Sequence, residues 1–249
     1  MSAIAPDPAD VSGRSVMKAR RCFLQAVVVL AAFTVARALG LSGPTTLGVA
    51  ALIGLLILVA WRARASLEDV GLHPARVVGG VRWGAAASGA VLAVLVLAAA
   101  LPATRGFLHD ARAQIDGGRL AQEILVSIAV LTAVPEEFAF RGVLLGSGLQ
   151  LWGRWRAVLV TSGLFGLWHI APTLATMTDN PAVSGASATV LGRVAVVAGA
   201  VTVTFVAGLA FAWLRLRSGS LVAPVVAHVA TNGLALAAAW VTLHWAVLA

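Results

Sequence analysis

"VPEEFAFRG", residues 134–142, places two adjacent carboxylates, Glu136 and Glu137, and a cation, Arg141, inside a long apolar run. Its setting decides what those charges mean. Of the 249 residues, 60% are apolar and 11% charged, more hydrophobic sequence than a soluble core of this size can bury. Apolar runs lie at about 22–41, 44–61, 83–103, 121–147, 155–173, 190–214 and 219–248, each near the roughly 20 residues a spanning helix needs. The expected fold is all-α: a polytopic transmembrane helical bundle of about seven helices, six to eight depending on how the last run divides. The expected division is a polar cytoplasmic segment at 1–21 and a single transmembrane bundle over 22–249.

The polar stretches set orientation. With the loops assigned alternately, the N-terminal segment and the loops around 62–82, 154–156 and 215–217 hold twelve Lys and Arg, and the opposite side holds four. Such a bias predicts a cytoplasmic N-terminus. The expected location is integral, in a bacterial plasma membrane. The apolar run after the basic leader is read as an uncleaved first span, since Arg37 falls inside the "ARA" that would otherwise resemble a cleavage site. The net charge of +8 is spread between apolar runs and not clustered with aromatic residues, which excludes a nucleic-acid partner. Cys22 is the only cysteine, so an internal disulfide and a cysteine metal cluster are excluded.

An ionised side chain at the centre of a membrane helix costs at least about 2.5 to 3.5 kcal/mol, so three of them persist only with partners or a task. Glu136 stands thirteen residues after Glu123, which puts it about 20 Å into the fourth helix at 1.5 Å per residue. Glu137 and Arg141 share a face at i and i+4 and can pair. The pair leaves Glu137 largely silent. Glu136 points to another face, where it is suited to take a proton from water, and Pro135 weakens the backbone ladder beside it.

Other polar residues reach a similar depth. "FGLWHIAP" puts Phe165 and His169 one turn apart in the fifth run, and "APVVAHVATNG" puts His228 and Asn232 one turn apart in the last. Each has a plain structural reading: an intramembrane His or Asn satisfies a neighbouring helix, Phe165 packs, and Glu137 with Arg141 fixes helix register. What favours function is that the elements, far apart in the chain, reach one depth. His73, His109 and His244 are assigned no role.

The ordered set Glu-Glu-x-x-x-Arg, Phe-x-x-x-His and His-x-x-x-Asn resembles the CPBP family, the CAAX-processing and bacteriocin-processing intramembrane proteases also known by the Abi domain. The resemblance covers about 120–235 and is carried by Glu136, Glu137, Arg141, Phe165, His169, His228 and Asn232. It implies a bundle enclosing a water-filled cavity and hydrolysis of peptide bonds in a membrane-associated peptide or protein. Glu136 with His169 would activate water, and His228 with Asn232 would hold the tetrahedral oxyanion. Glu137, Arg141 and Phe165 would support them.

Metal dependence stays open at this stage. Glu136, His169 and His228 form a two-histidine, one-carboxylate set of the kind that binds one zinc ion, yet the same residues suffice for direct water activation with no cofactor. Two readings from other classes compete with the endopeptidase. One is a non-proteolytic membrane scaffold or bacteriocin-immunity protein; the other is a transporter, which the lack of internal repeats disfavours.

Overall fold

A computed structural model describes residues 8–41 and 45–245. The ends of the chain at 1–7 and 246–249 lie outside the described residues. The principal helices are α1 (Pro8–Ala38), α2 (Thr45–Arg62), α3 (Val77–Ala100), α4 (117–152), α5 (Arg154–Trp168), α6 (Ile170–Thr176), α7 (Val190–Ser218) and α8 (Val222–Trp245). No strand occurs among the described residues. Six stretches are long and apolar enough to cross a membrane: Ser15–Ala38, Thr45–Arg62, Pro74–Ala100, Arg154–Thr176, Val190–Ser218 and Val222–His244. With the charged α4, this is the expected polytopic bundle of about seven helices.

Local chemistry explains the breaks. Asp116 starts α4 by accepting from the Arg119 amide. Gly153, at φ 74°, turns the chain between α4 and α5, and Gly219, at φ 68°, ends α7 with its N–H on the Arg215 carbonyl. Both conformations favour glycine.

α4 lies at the centre. Its N-terminal half packs on α8 and its C-terminal half on α1 and α5, while α3 lies along α8 and α7 along α5. The bundle is apolar outside as well as inside: Leu92, Val94, Val96 and Leu97 of α3 and Leu191, Val194 and Val203 of α7 are all exposed. Lipid tails would be as apolar as these side chains, so apolar burial gives little drive for helix association; close packing must supply it. Small residues permit that approach. A Cβ on Gly80 would stand 2.6 Å from Ser220 Oγ, and one on Gly84 would stand 2.7 Å from Val226 Cβ. On α4, a Cβ on Gly146 would stand 2.5 Å from the Asp69 carbonyl oxygen.

Several expected boundaries move. The division at 21/22 falls inside α1, because nothing between Pro8 and Ala38 breaks the helix and Lys and Arg are good helix formers. The loop expected around 62–82 is already helical from Val77. Between α3 and α4 the chain makes a series of short turns, Pro102–Arg105, Gly106–Leu108 and Ala111–Ala113. The stretch after α5 contains α6 and a short helix at Pro181–Ala186, started by Asn180. The last run is one helix.

The loop between α2 and α3 ties one end of the bundle together. Gln150 of α4 donates to Asp69 at 3.2 Å, Arg215 Nη2 donates to the carbonyls of Glu68 and Asp69 at 2.9 and 3.1 Å, and the Leu221 amide donates to the Gly71 carbonyl at 2.7 Å.

Two alanine substitutions on α3 test the role of close approach. Gly84→Ala forces Val226 or the Ala223 carbonyl to shift, an overpacking cost of about 1–3 kcal/mol, and should lower the thermal midpoint in detergent by a few degrees. Gly89→Ala, with nothing within 4 Å, should leave it unchanged or slightly higher.

Candidate active site

α4 changes register twice around the acidic pair. Residues Glu123–Ala133 and Phe138–Leu144 are wound as π-helix on either side of Val134–Glu137. Backbone bonds mark the wider turns: the Val134 amide reaches Ala129, and the Leu145 amide reaches Phe140. The Thr132 hydroxyl likewise donates five residues back, to the Ser127 carbonyl. Pro135 brings no amide hydrogen to this segment, so the ladder is incomplete where the carboxylates project.

Glu137 is fully buried, and its Oε1 accepts from Arg141 Nη1 at 2.9 Å and from His228 Nδ1 at 2.8 Å. The expected pair with Arg141 is present, but Glu137 is not silent: it also fixes the last helix. Arg141, 2% exposed, lays its guanidinium over Phe165 at 4.0 Å and near Phe211 at 5.1 Å, a stacked setting that suits arginine better than lysine. His228 is stacked on Phe211, with ring centroids 5.2 Å apart. A carboxylate oxygen can only accept, so His228 donates from Nδ1 and its Nε2 is left for other chemistry.

His169 sits at the break between α5 and α6, not within a continuous helix. Its Nδ1 is 2.8 Å from the Phe165 carbonyl, again an acceptor only, so Nδ1 carries the hydrogen and Nε2 is free. Phe165 is the common neighbour. It meets His169 edge-on at 4.6 Å and Phe140 at 5.1 Å, besides underlying Arg141.

Glu136 lies on a different face, as its position next to Glu137 demands. Its Oε1 accepts from Trp168 Nε1 at 3.1 Å, and its Oε2 is buried with no hydrogen-bond partner among the described residues. It bonds directly to neither His169 nor His228. Trp168 was not singled out from the sequence, although it directly precedes His169 and lies three residues after Phe165. Phe33 of α1 stacks on it at 6.0 Å and Phe140 meets it edge-on at 5.8 Å, so its indole is held from both sides. Two further buried atoms in this neighbourhood, Glu137 Oε2 and Arg141 Nη2, have no hydrogen-bond partner among the described residues.

Asn232 follows His228 by one turn on α8, half-buried and without a hydrogen bond among the described residues. Direct contacts therefore join Glu137, Arg141, His228 and Phe165, and through Phe165 they reach His169. Glu136 is joined through Trp168. Among the described residues no three His, Cys, Asp or Glu side chains are grouped so that they could hold a metal ion, and Glu136, His169 and His228 do not fit one as they stand. Glu137, in place of Glu136, takes the direct bond to His228.

Residues 122–234 match the family model described as "Type II CAAX prenyl endopeptidase Rce1-like". The match begins one residue before the π-wound part of α4, ends within α8 and contains all seven residues of the ordered motif set. Comparison with curated proteins and with solved structures gave no match. Residues 122–234 thus carry a domain similar to the Rce1-like family of CAAX prenyl endopeptidases, within a chain whose six long apolar helices make it an integral membrane protein.

Proposed function

We propose that this protein hydrolyses a peptide bond of a membrane-associated peptide or protein with water activated by Glu136 and His169. One observation carries the reading. Trp168 holds one oxygen of Glu136 while the other is buried and unpaired, and His169, the next residue after Trp168, has Nδ1 engaged and Nε2 free. A carboxylate and an imidazole so arranged can hold a water molecule and remove its proton.

In the proposed reaction, Glu136 accepts a proton as the water oxygen attacks the scissile carbonyl carbon. The carbonyl π electrons move to oxygen, giving a tetrahedral oxyanion. The Asn232 amide donates to that oxygen. His228 also donates when Nε2 carries a proton, its charge balanced by Glu137 against Nδ1. Collapse of the intermediate breaks the C–N bond, and the proton held by Glu136 passes to the leaving nitrogen. Glu137 and Arg141 act as positioning residues, because each touches His228 or its neighbours and not the reacting bond. No serine or cysteine nucleophile is needed, and no step is routed through a metal. We also propose that the N-terminus is cytoplasmic, on the strength of the twelve Lys and Arg on that side.

Glu136→Gln should lower kcat for a labelled hydrophobic peptide library in detergent by about 10²- to 10⁴-fold with an unchanged thermal midpoint. Asn232→Ala should cost about 10²- to 10³-fold in kcat. Retained cleavage in Glu136→Gln defeats the mechanism, and an intact cellular phenotype in a cleavage-dead variant points to a scaffold. Glu137→Ala should behave differently. It leaves Arg141 buried without its carboxylate, so stability falls by about 3–5 kcal/mol along with activity. For orientation, a cysteine replacing the exposed Leu67 should react with an impermeant maleimide only from the cytoplasmic side, and one replacing the exposed Val190 only from the other. The reverse pattern inverts the topology.

A further inference from the structure

The bundle end tied by the α2–α3 loop contains a second polar recess, separate from the hydrolytic residues. It has a volume of about 200 Å³ and is formed by the α2–α3 loop and the turn that joins α7 to α8. Arg76, Arg215 and Arg217 line it with a single carboxylate, Glu68. Arg215 is only 7% exposed. Its Nη2 is engaged by the two loop carbonyls, while its Nε is buried with no hydrogen-bond partner among the described residues. Arg76 and Arg217 are exposed, and among the described residues neither forms an ion pair. Glu68 forms none either.

A basic membrane edge explains exposed arginines, which snorkel to water and neutralise nothing in particular. It does not explain a buried guanidinium that Glu68 and Asp69 reach only through space, with no direct bond to either carboxylate among the described residues. Burying such a cation is costly unless an anion compensates it, and a guanidinium fork matches phosphate geometry with two parallel bonds. The aromatic surroundings indicate the depth. Arg217 lies over Trp83 at 5.4 Å, and Trp83 meets Trp213 edge-on at 5.3 Å, an indole pair of the sort that sits at headgroup level.

We propose that this recess binds a phosphate group, presented by an anionic lipid headgroup or as free phosphate, with Arg76 and Arg217 as outer donors and Arg215 as the buried cation. The site is independent of the hydrolytic reading, since none of its residues takes part in the reaction. Its occupant would brace the turn into α8, six residues before His228.

The test uses the full purified chain in neutral detergent, titrated separately with short-chain phosphatidylglycerol, short-chain phosphatidylcholine and inorganic phosphate, and read as a saturable rise in thermal midpoint. Phosphatidylglycerol should bind saturably and more tightly than phosphatidylcholine. Arg76→Gln with Arg217→Gln should weaken it about tenfold or more, given the loss of charge-assisted bonds. Arg20→Gln with Arg21→Gln removes equal charge from α1 and should not. Saturable binding of inorganic phosphate, lost in the same double variant, identifies the free ion as sufficient; binding of lipid alone identifies the headgroup. Should the double variant unfold, Arg76→Gln alone is titrated against the same control. No saturable binding, or equal weakening by the α1 pair, overturns the proposal and leaves a diffuse basic surface.

Discussion

One carboxylate oxygen, Oε1 of Glu137, accepts from both Arg141 and His228, and most of the core is arranged around that junction. A fully buried carboxylate is tolerated only when its charge is compensated by bonded partners. Arg141 supplies the charge from the same helix, and His228 supplies a second donor from a helix 91 residues away in the chain. The junction therefore fixes the rotation of α8 against α4. Any other rotation would leave a charged group buried without a partner, which disfavours it far more than a change in apolar packing would.

Aromatic rings make the junction rigid. Phe165, Phe211 and Phe140 surround the Arg141 guanidinium, and Phe211 also stacks on His228. Apolar rings exclude water from the ion pair while offering their electron-rich faces to the cation. The same Phe165 anchors His169 through its carbonyl and its ring edge, so the break between α5 and α6 is held where the imidazole is needed. The π-wound turns of α4 serve the opposite purpose. They open the backbone ladder beside Pro135, where an unbroken α-helix would carry successive side chains at a fixed 100° step.

The bundle was legible from apolar run lengths, because a span must be apolar over roughly 20 residues whatever it packs against. Charges and breakers misled at the edges. Lys18, Arg20 and Arg21 read as a boundary but continue α1, since basic residues favour a helix as readily as apolar ones do. The i, i+4 pairing of Glu137 with Arg141 followed from helical geometry. The bond from Glu137 to His228 did not, because nothing in the spacing says which of two adjacent glutamates faces a helix so distant in the chain. Trp168 escaped for a similar reason: an interior indole in an apolar run reads as packing until its N–H is seen to meet a carboxylate. The recess at Arg215 escaped too, since an arginine near a run end is the ordinary signature of a cytoplasmic edge.

The two glutamates divide a conflict that one could not resolve. A carboxylate that organises a membrane core must keep its bonds, and Glu137 accepts from two donors on one oxygen. A carboxylate proposed to receive a proton must change its charge without loosening the helices around it. Adjacent positions on a helix separate these demands by about 100° while keeping both groups at one depth. On the proposed reading, protonation of Glu136 disturbs only the indole bond of Trp168, and Trp168 is held independently by Phe33 and Phe140. The proton can then come and go while the junction that positions His228 stays intact.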